Sequence, residues 1–124
     1  MAKSRLLSRV ANSLYWMSRY VERAENGARS IEVNLHMMLD QSNTGKEHWE
    51  PLIAVTGESE LFRKLYGESR PRNVLRFLTF DESNPNSILS CLRRARENAR
   101  AVRDTITSEM WEQINKAYLM VASE

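Results

Sequence analysis

The sequence predicts an all-α fold: a helical bundle built on two long antiparallel helices with short helices between them, in one domain spanning 1–124. Three observations predict it. Apolar residues recur at alternating steps of three and four over residues 4–40 and again from Ile88 onward, the period of one helix face. Only four glycines and three prolines punctuate the 124 residues, so long uninterrupted helices are favoured. The β-branched residues themselves fall on helical spacings, and no alternating run of strand length occurs.

The first helix is expected over residues 4–40. Leu7, Val10, Leu14, Met17, Val21, Ala24, Ala28, Ile31, Leu35 and Met38 make an unbroken stripe along roughly 50 Å of helix, with Ser4 placed to cap it. Gly27 costs about 1 kcal/mol relative to alanine inside a helix, and a close helix crossing at Ala24, Gly27 and Ala28 would explain its presence. Asn43-Thr44-Gly45 ends the helix. Three short helices follow, around Trp49–Val55, Leu61–Tyr66 and Val74–Phe80, with Gly57, Gly67 and Pro71 between them. Asn84 before Pro85 marks the start of the second long helix, whose stripe is Ile88, Leu92, Ala95, Ala99, Val102 and Ile106. That helix either continues or restarts at a Ser108 cap, and Met110, Ile114, Ala117, Met120 and Val121 line its end.

The two stripes superimpose on a shift of 71 residues, which also aligns Arg23-Ala24 with Arg94-Ala95 and Ala28-Arg29 with Ala99-Arg100. Small-residue centres on both helices point to close packing between them. The first helix also carries a second face, well away from its stripe, formed by Trp16, Arg19, Arg23, Asn26, Ser30, Asn34 and Met37, with Tyr20 on the border. It is too aromatic to be plainly solvated. Two readings are open: a packed face whose arginines pair with Glu22, Glu25, Glu97 or Glu109, or a contact surface for a partner. The packed reading places Arg23 and Arg94 at the interior edge, each engaged by a carboxylate of another helix.

Composition narrows the function. Eighteen Lys and Arg against sixteen Asp and Glu leave a net charge of +2, too balanced for a nucleic-acid footprint. No run of 18 apolar residues is present, and the N-terminal segment has no continuous apolar stretch, so neither a membrane span nor a secretory signal is expected and the cytoplasm is the default. Cys91 is the only cysteine, which rules out an internal disulfide, and its place between Leu89 and Leu92 favours burial. His36 and His48 lack metal-ligand spacing, there is no phosphate loop and no nucleophile elbow, and no cofactor is expected.

The segments LLSRVANSLYWMSRYVERAENGARSIEVNLHMML and FDESNPNSILSCLRRARENARAVRDTITSEMWEQIN resemble the bacterial Alpha-E family, an all-helical domain of unknown function named for a Glu-Arg pair. The pair here is Glu22-Arg23, followed by Ala24, Glu25, Asn26 and Arg29. The second matching stretch runs from Asn84-Pro85-Asn86-Ser87 through Arg94, Arg96, Glu97, Asn98, Arg100 and Arg103 to Trp111-Glu112. Family members are longer, so the resemblance is to their N-terminal portion. It implies the company of ATP-grasp-like ligases and transglutaminase-like proteins, and a role in a peptide-forming or peptide-modifying system. The residues themselves, Arg19 included, suggest a non-enzymatic interaction or accessory module with protein partners. The alternative is an accessory subunit that contributes Glu22, Arg23, Arg94 and Arg100 to such a reaction. Trp16, Tyr20 and Met37 on the second face also lead to an expectation of a homodimer.

Overall fold

A computed structural model describes residues 2–41, 49–68 and 70–124, with side chains of the first helix described from 4 to 37. The chain is an all-α bundle. Six helices lie among the described residues: α1 (Ala2–Gln41), α2 (Glu50–Thr56), α3 (Ser59–Tyr66), α4 (Pro71–Thr79), α5 (Ile88–Ala101) and α6 (Ser108–Ala122). The 40 residues of α1 span on the order of 60 Å. It starts at Ala2, which puts Ser4 inside the first turn rather than at a cap. The Asn43-Thr44-Gly45 stop and His48 lie outside the described residues, as do the side chains of Met38 and Asp40.

Only one helix is long. The second stripe is divided between α5, 14 residues, and α6, 15 residues, which fold into a hairpin. The break has a local cause. Val102, Thr105, Ile106 and Thr107 are β-branched, a poor composition for helix propagation. The Val102 N–H turns back to the carbonyls of Ala99 and Arg100, and the Thr107 hydroxyl accepts the Met110 N–H at 3.1 Å to open the next helix. Thr107, one residue before the expected Ser108, is therefore the cap.

Three apolar clusters hold the bundle. Met17 packs with Ala99, Val102 and Ile106, flanked by Val10, Leu14, Trp111 and Ile114. Further along α1, Ala24 packs with Cys91 and Leu92, flanked by Ile88, Ala117, Tyr118 and Val121. Partner numbers on α5 fall as those on α1 rise, so α1 and α5 run antiparallel, and α6 runs with α1. The small-residue crossing lies at Ala24 and Gly27 as expected but excludes Ala28: Ala24, Ala95 and Ala99 are buried, a Cβ on Gly27 would meet Ile88 Cγ1 at an ordinary 3.5 Å, and Ala28 is exposed.

The third cluster, Trp49, Ile53, Phe62, Val74, Phe77 and Leu78, is the work of α2–α4, with Ile31 of α1 packed against it. This change of partner turns α1's buried line. Leu7 and Leu35 of the straight heptad stripe are 70% and 40% exposed, whereas Asn34 is buried. At 3.6 residues per turn, Asn34 lies roughly 100° around the helix from Met17. One end of α1 thus faces α5 and α6, and the other leans toward α2 and α4.

The turn from α4 to α5 is tied by Asn84, which is fully buried. Its Nδ2 donates to the Phe77 carbonyl at 2.9 Å, and its Oδ1 accepts the Asn86 N–H at 3.0 Å. Ser87, not Asn84, caps α5, its hydroxyl accepting the Ser90 N–H at 3.1 Å. Tyr66 of α3 braces the same turn, its hydroxyl donating to Asp81 Oδ2 at 2.6 Å.

Candidate functional site

The Glu-Arg segment lies where α1 crosses α5. The Arg23 guanidinium sits 5.4 Å from the centre of the Tyr20 ring, and Arg94 of α5 sits 5.6 Å from the same ring. Both arginines are exposed, and neither has an ion pair or side-chain hydrogen bond among the described residues. This corrects the expectation that carboxylates from neighbouring helices would engage them. The physical reason is placement: Glu25 and Glu97 are exposed and make no ion pair among the described residues, and Glu22 is taken by Arg19 at 3.4 Å. The aromatic face substitutes for a counter-ion while the guanidinium heads stay in water. Trp16 extends the stack, 5.7 Å from Tyr20 and edge-on to Tyr15 at 5.2 Å. Of the large groups expected to need cover, Trp16 and Tyr20 are half-buried, while Met37 remains 45% exposed.

Beneath the arginine pair lies Cys91, fully buried. Burial pushes its thiol pKa up, and the nearby charges of Arg23 and Arg94 act in the opposite direction.

Beside Arg23 a cleft of about 460 Å³ opens between α1 and α2. Arg23, Asn26, Gly27 and Ser30 form one wall; Leu52, Val55 and Thr56 of α2, Leu78 of α4 and Asn86 form the rest. A second hollow continues it along α1, sharing Asn26, Ser30 and Leu52 and adding Arg29, Val33, Asn34 and Met37. The part of the second face from Arg23 to Met37 is therefore one wall of a groove. On the other side of α1, a hollow of about 450 Å³ faces α6 and is lined by Met17, Val21, Glu22, Glu109 and Met110 among others.

The remaining site residues stand apart. Arg96 donates to Asn115 Oδ1 at 2.7 Å and lies 4.9 Å from the Tyr118 ring, joining α5 to α6. Arg103 covers Trp111 at 5.5 Å. Arg100 is exposed and unpaired. The four residues Glu22, Arg23, Arg94 and Arg100 do not converge on one centre, because Glu22 lines the hollow on the α6 side. Among the described residues, His36 lies 3.9 Å from Glu32 and no group of metal-binding side chains occurs. Sequence reasoning missed Asn115 and the α2 wall. For the latter, the Leu52 and Val55 pair at helical spacing was the available signal.

The profile of the Alpha-E family, described as a predicted alpha-helical domain with a conserved ER motif, matches residues 6–124, and the chain belongs to that family. Within the match, Glu22-Arg23 is the Glu-Arg pair. The chain is also similar to uncharacterized proteins of Mycobacterium bovis and Mycobacterium tuberculosis. One from each is 29% identical over 83% of this chain, and another from Mycobacterium tuberculosis is 28% identical over the same share. The chain spans 13% of the length of these curated relatives. No solved structure matches it. No helix among the described residues is long and apolar enough to cross a membrane.

Proposed function

We propose that this chain is a non-enzymatic helical interaction module, working in the cytoplasm, whose Glu-Arg segment presents cationic side chains to an acidic surface of a protein partner. One observation carries the reading: Arg23 and Arg94 both sit at the Tyr20 ring, with no carboxylate of the described residues in ion-pair range. A guanidinium is a planar fork of N–H donors suited to a carboxylate, and two beside one ring offer a ready donor set to an acidic group. The uncovered apolar side chains nearby, Val55 at 87% and Val33 at 52% exposure, add the contact area that a partner helix or strand would bury. Convergence of Glu22, Arg23, Arg94 and Arg100 on one centre would have favoured the accessory-subunit alternative, and Glu22 instead lines the hollow on the α6 side.

The test is co-purification of the full-length protein with the products of the genes adjacent to its own, followed by ATP turnover with and without it. Retention of a partner that is lost in the Arg23→Glu, Arg94→Glu double variant is the expected result. Turnover by the isolated chain would overturn the reading.

A further inference from the structure

We infer that the groove between α1 and α2 receives an acidic, amphipathic peptide segment of a partner protein, with Arg23 and Arg29 pairing with its carboxylates and Leu52, Val55 and Leu78 covering its aliphatic face. The inference rests on the interaction-module reading and gives it a place and a ligand chemistry.

Charge commits the groove to an acidic occupant. Among the described residues, its two connected parts are lined by Arg23 and Arg29 and by no Asp or Glu. The carboxylate of Glu58 accepts a hydrogen bond from Asn86 Nδ2 at 3.0 Å and makes no ion pair with either arginine among the described residues. Arg23, Asn26, Arg29 and Ser30 are exposed, and none makes a side-chain hydrogen bond or ion pair within the described chain. They are donors without acceptors. A neutral or basic segment seated there would strip water from two guanidiniums and leave them unpaired, a costly burial.

The opposite wall commits it to an amphipathic one. Beside Thr56 and Asn86, it presents Leu52, Val55 and Leu78, which offer no polar group, and Val55 is 87% exposed. An inorganic anion or a nucleic-acid backbone would meet two cations and leave this wall bare. An extended peptide fits both walls, because successive side chains point to opposite sides and alternate acidic and aliphatic residues would face α1 and α2 in turn. From Arg23 to Met37 the groove runs roughly 21 Å along α1, the reach of about six extended residues.

The probe is a synthetic hexapeptide of alternating glutamate and leucine, titrated into the full ¹⁵N-labelled chain and followed by amide and arginine side-chain resonances. Saturable shifts are expected at Arg23 Nε, the Asn26 and Asn86 side-chain amides and the backbone of residues 52–56. Arg23→Glu should weaken binding at least tenfold and admit the lysine–leucine counterpart instead. Val55→Asp should weaken the acidic peptide by a similar factor with unchanged far-UV circular dichroism, which guards against a folding artefact. Inorganic phosphate should move Arg23 Nε without saturating. Equal response to both peptides, shifts mapping to the α1–α6 hollow, displacement of the peptide by phosphate, or concentration-dependent shifts of the same resonances without peptide (a second copy in the groove) would each overturn the inference. The co-purification separates the two failures. A partner still retained when the peptide does not bind leaves the module and removes the groove; loss of the partner from the unsubstituted chain removes the module.

Discussion

The two hollows beside α1 are nearly equal in size, about 460 Å³ toward α2 and about 450 Å³ toward α6, and opposite in charge. Among the described lining residues, the first has Arg23, with Arg29 in its continuation, and no carboxylate; the second has Glu22 and Glu109 and no cation. Adjacent residues on a helix point about 100° apart and do not face one another. The Glu-Arg pair is therefore not a salt bridge. It divides charge between the two sides of one helix, each member serving its own hollow, with Arg19 shadowing Glu22 on one side and Tyr20 beneath Arg23 on the other.

The ridge separating the two sides is the α1–α5 seam, and filling it should break the contrast altogether. Ala95 is fully buried there. Ala95→Leu overpacks the seam and is expected to cost about 3 kcal/mol, near the top of the range for inserted bulk, read as a lower urea midpoint. Both hollows should lose their shape. Asn84→Ala sharpens the contrast instead, since Asn84 supports only the α2 side through Asn86. Leaving the Phe77 carbonyl and the Asn86 N–H without their partner should cost about 2 kcal/mol, with peptide binding weakened and the α6 side unchanged in amide resonances.

Gly27→Ala acts with the opposite sign. The added methyl meets Ile88 at ordinary contact distance, and Gly27 lines the α2-side cleft. Better helix propensity should raise stability by about 0.5–1 kcal/mol, while the methyl narrows the cleft. A rise in melting temperature with weaker peptide binding is the expected pair of results. Alkali probes the same side. The Tyr66 phenol is pushed up to about 12 by burial, then by its hydrogen bond to Asp81. The folded chain keeps a proton that the unfolded chain releases near pH 10, so this contribution is complete below about pH 10. It is lost as the pH rises toward about 12. Urea midpoints between pH 9 and 11.5 should fall, and Tyr66→Phe should flatten the curve. The smallest effect is expected at Glu109→Lys, an exposed surface change worth within about 0.5 kcal/mol that should leave the acidic peptide's affinity untouched.

Much of this architecture was legible in the sequence. The three short helices fall where Gly57, Gly67 and Pro71 divide them; both glycines have positive φ, 76° and 80°, closing α2 and α3. The second face of α1 was visible as aromatics and arginines off the stripe. What the pattern could not supply was the change of partner along α1, because a period describes one helix and not what covers it. Hence Ala28 and Leu35 were expected inside, where Asn34 is found. The break after Ala101 was left open because the apolar stripe runs on through Val102 and Ile106, both buried in the turn itself. The arginine pairing failed for another reason. Carboxylates near in sequence were available, but the bundle turned them elsewhere.

The antiparallel seam also sets an order of events during synthesis. Ile88, which packs beside Gly27, is encoded roughly sixty codons downstream. At about 5–20 residues per second on the ribosome, α1 emerges several seconds before the helix that covers its central stripe exists. In that interval Met17 and Ala24 have no mate, and the nascent chain depends on the polar strip of Arg23, Asn26, Arg29 and Ser30 to keep a long amphipathic helix in water. The α5–α6 hairpin, by contrast, joins residues close in sequence and closes as soon as both halves are out. Folding of this domain is expected to be late and abrupt, with α1 waiting for its cover and then docking in one step.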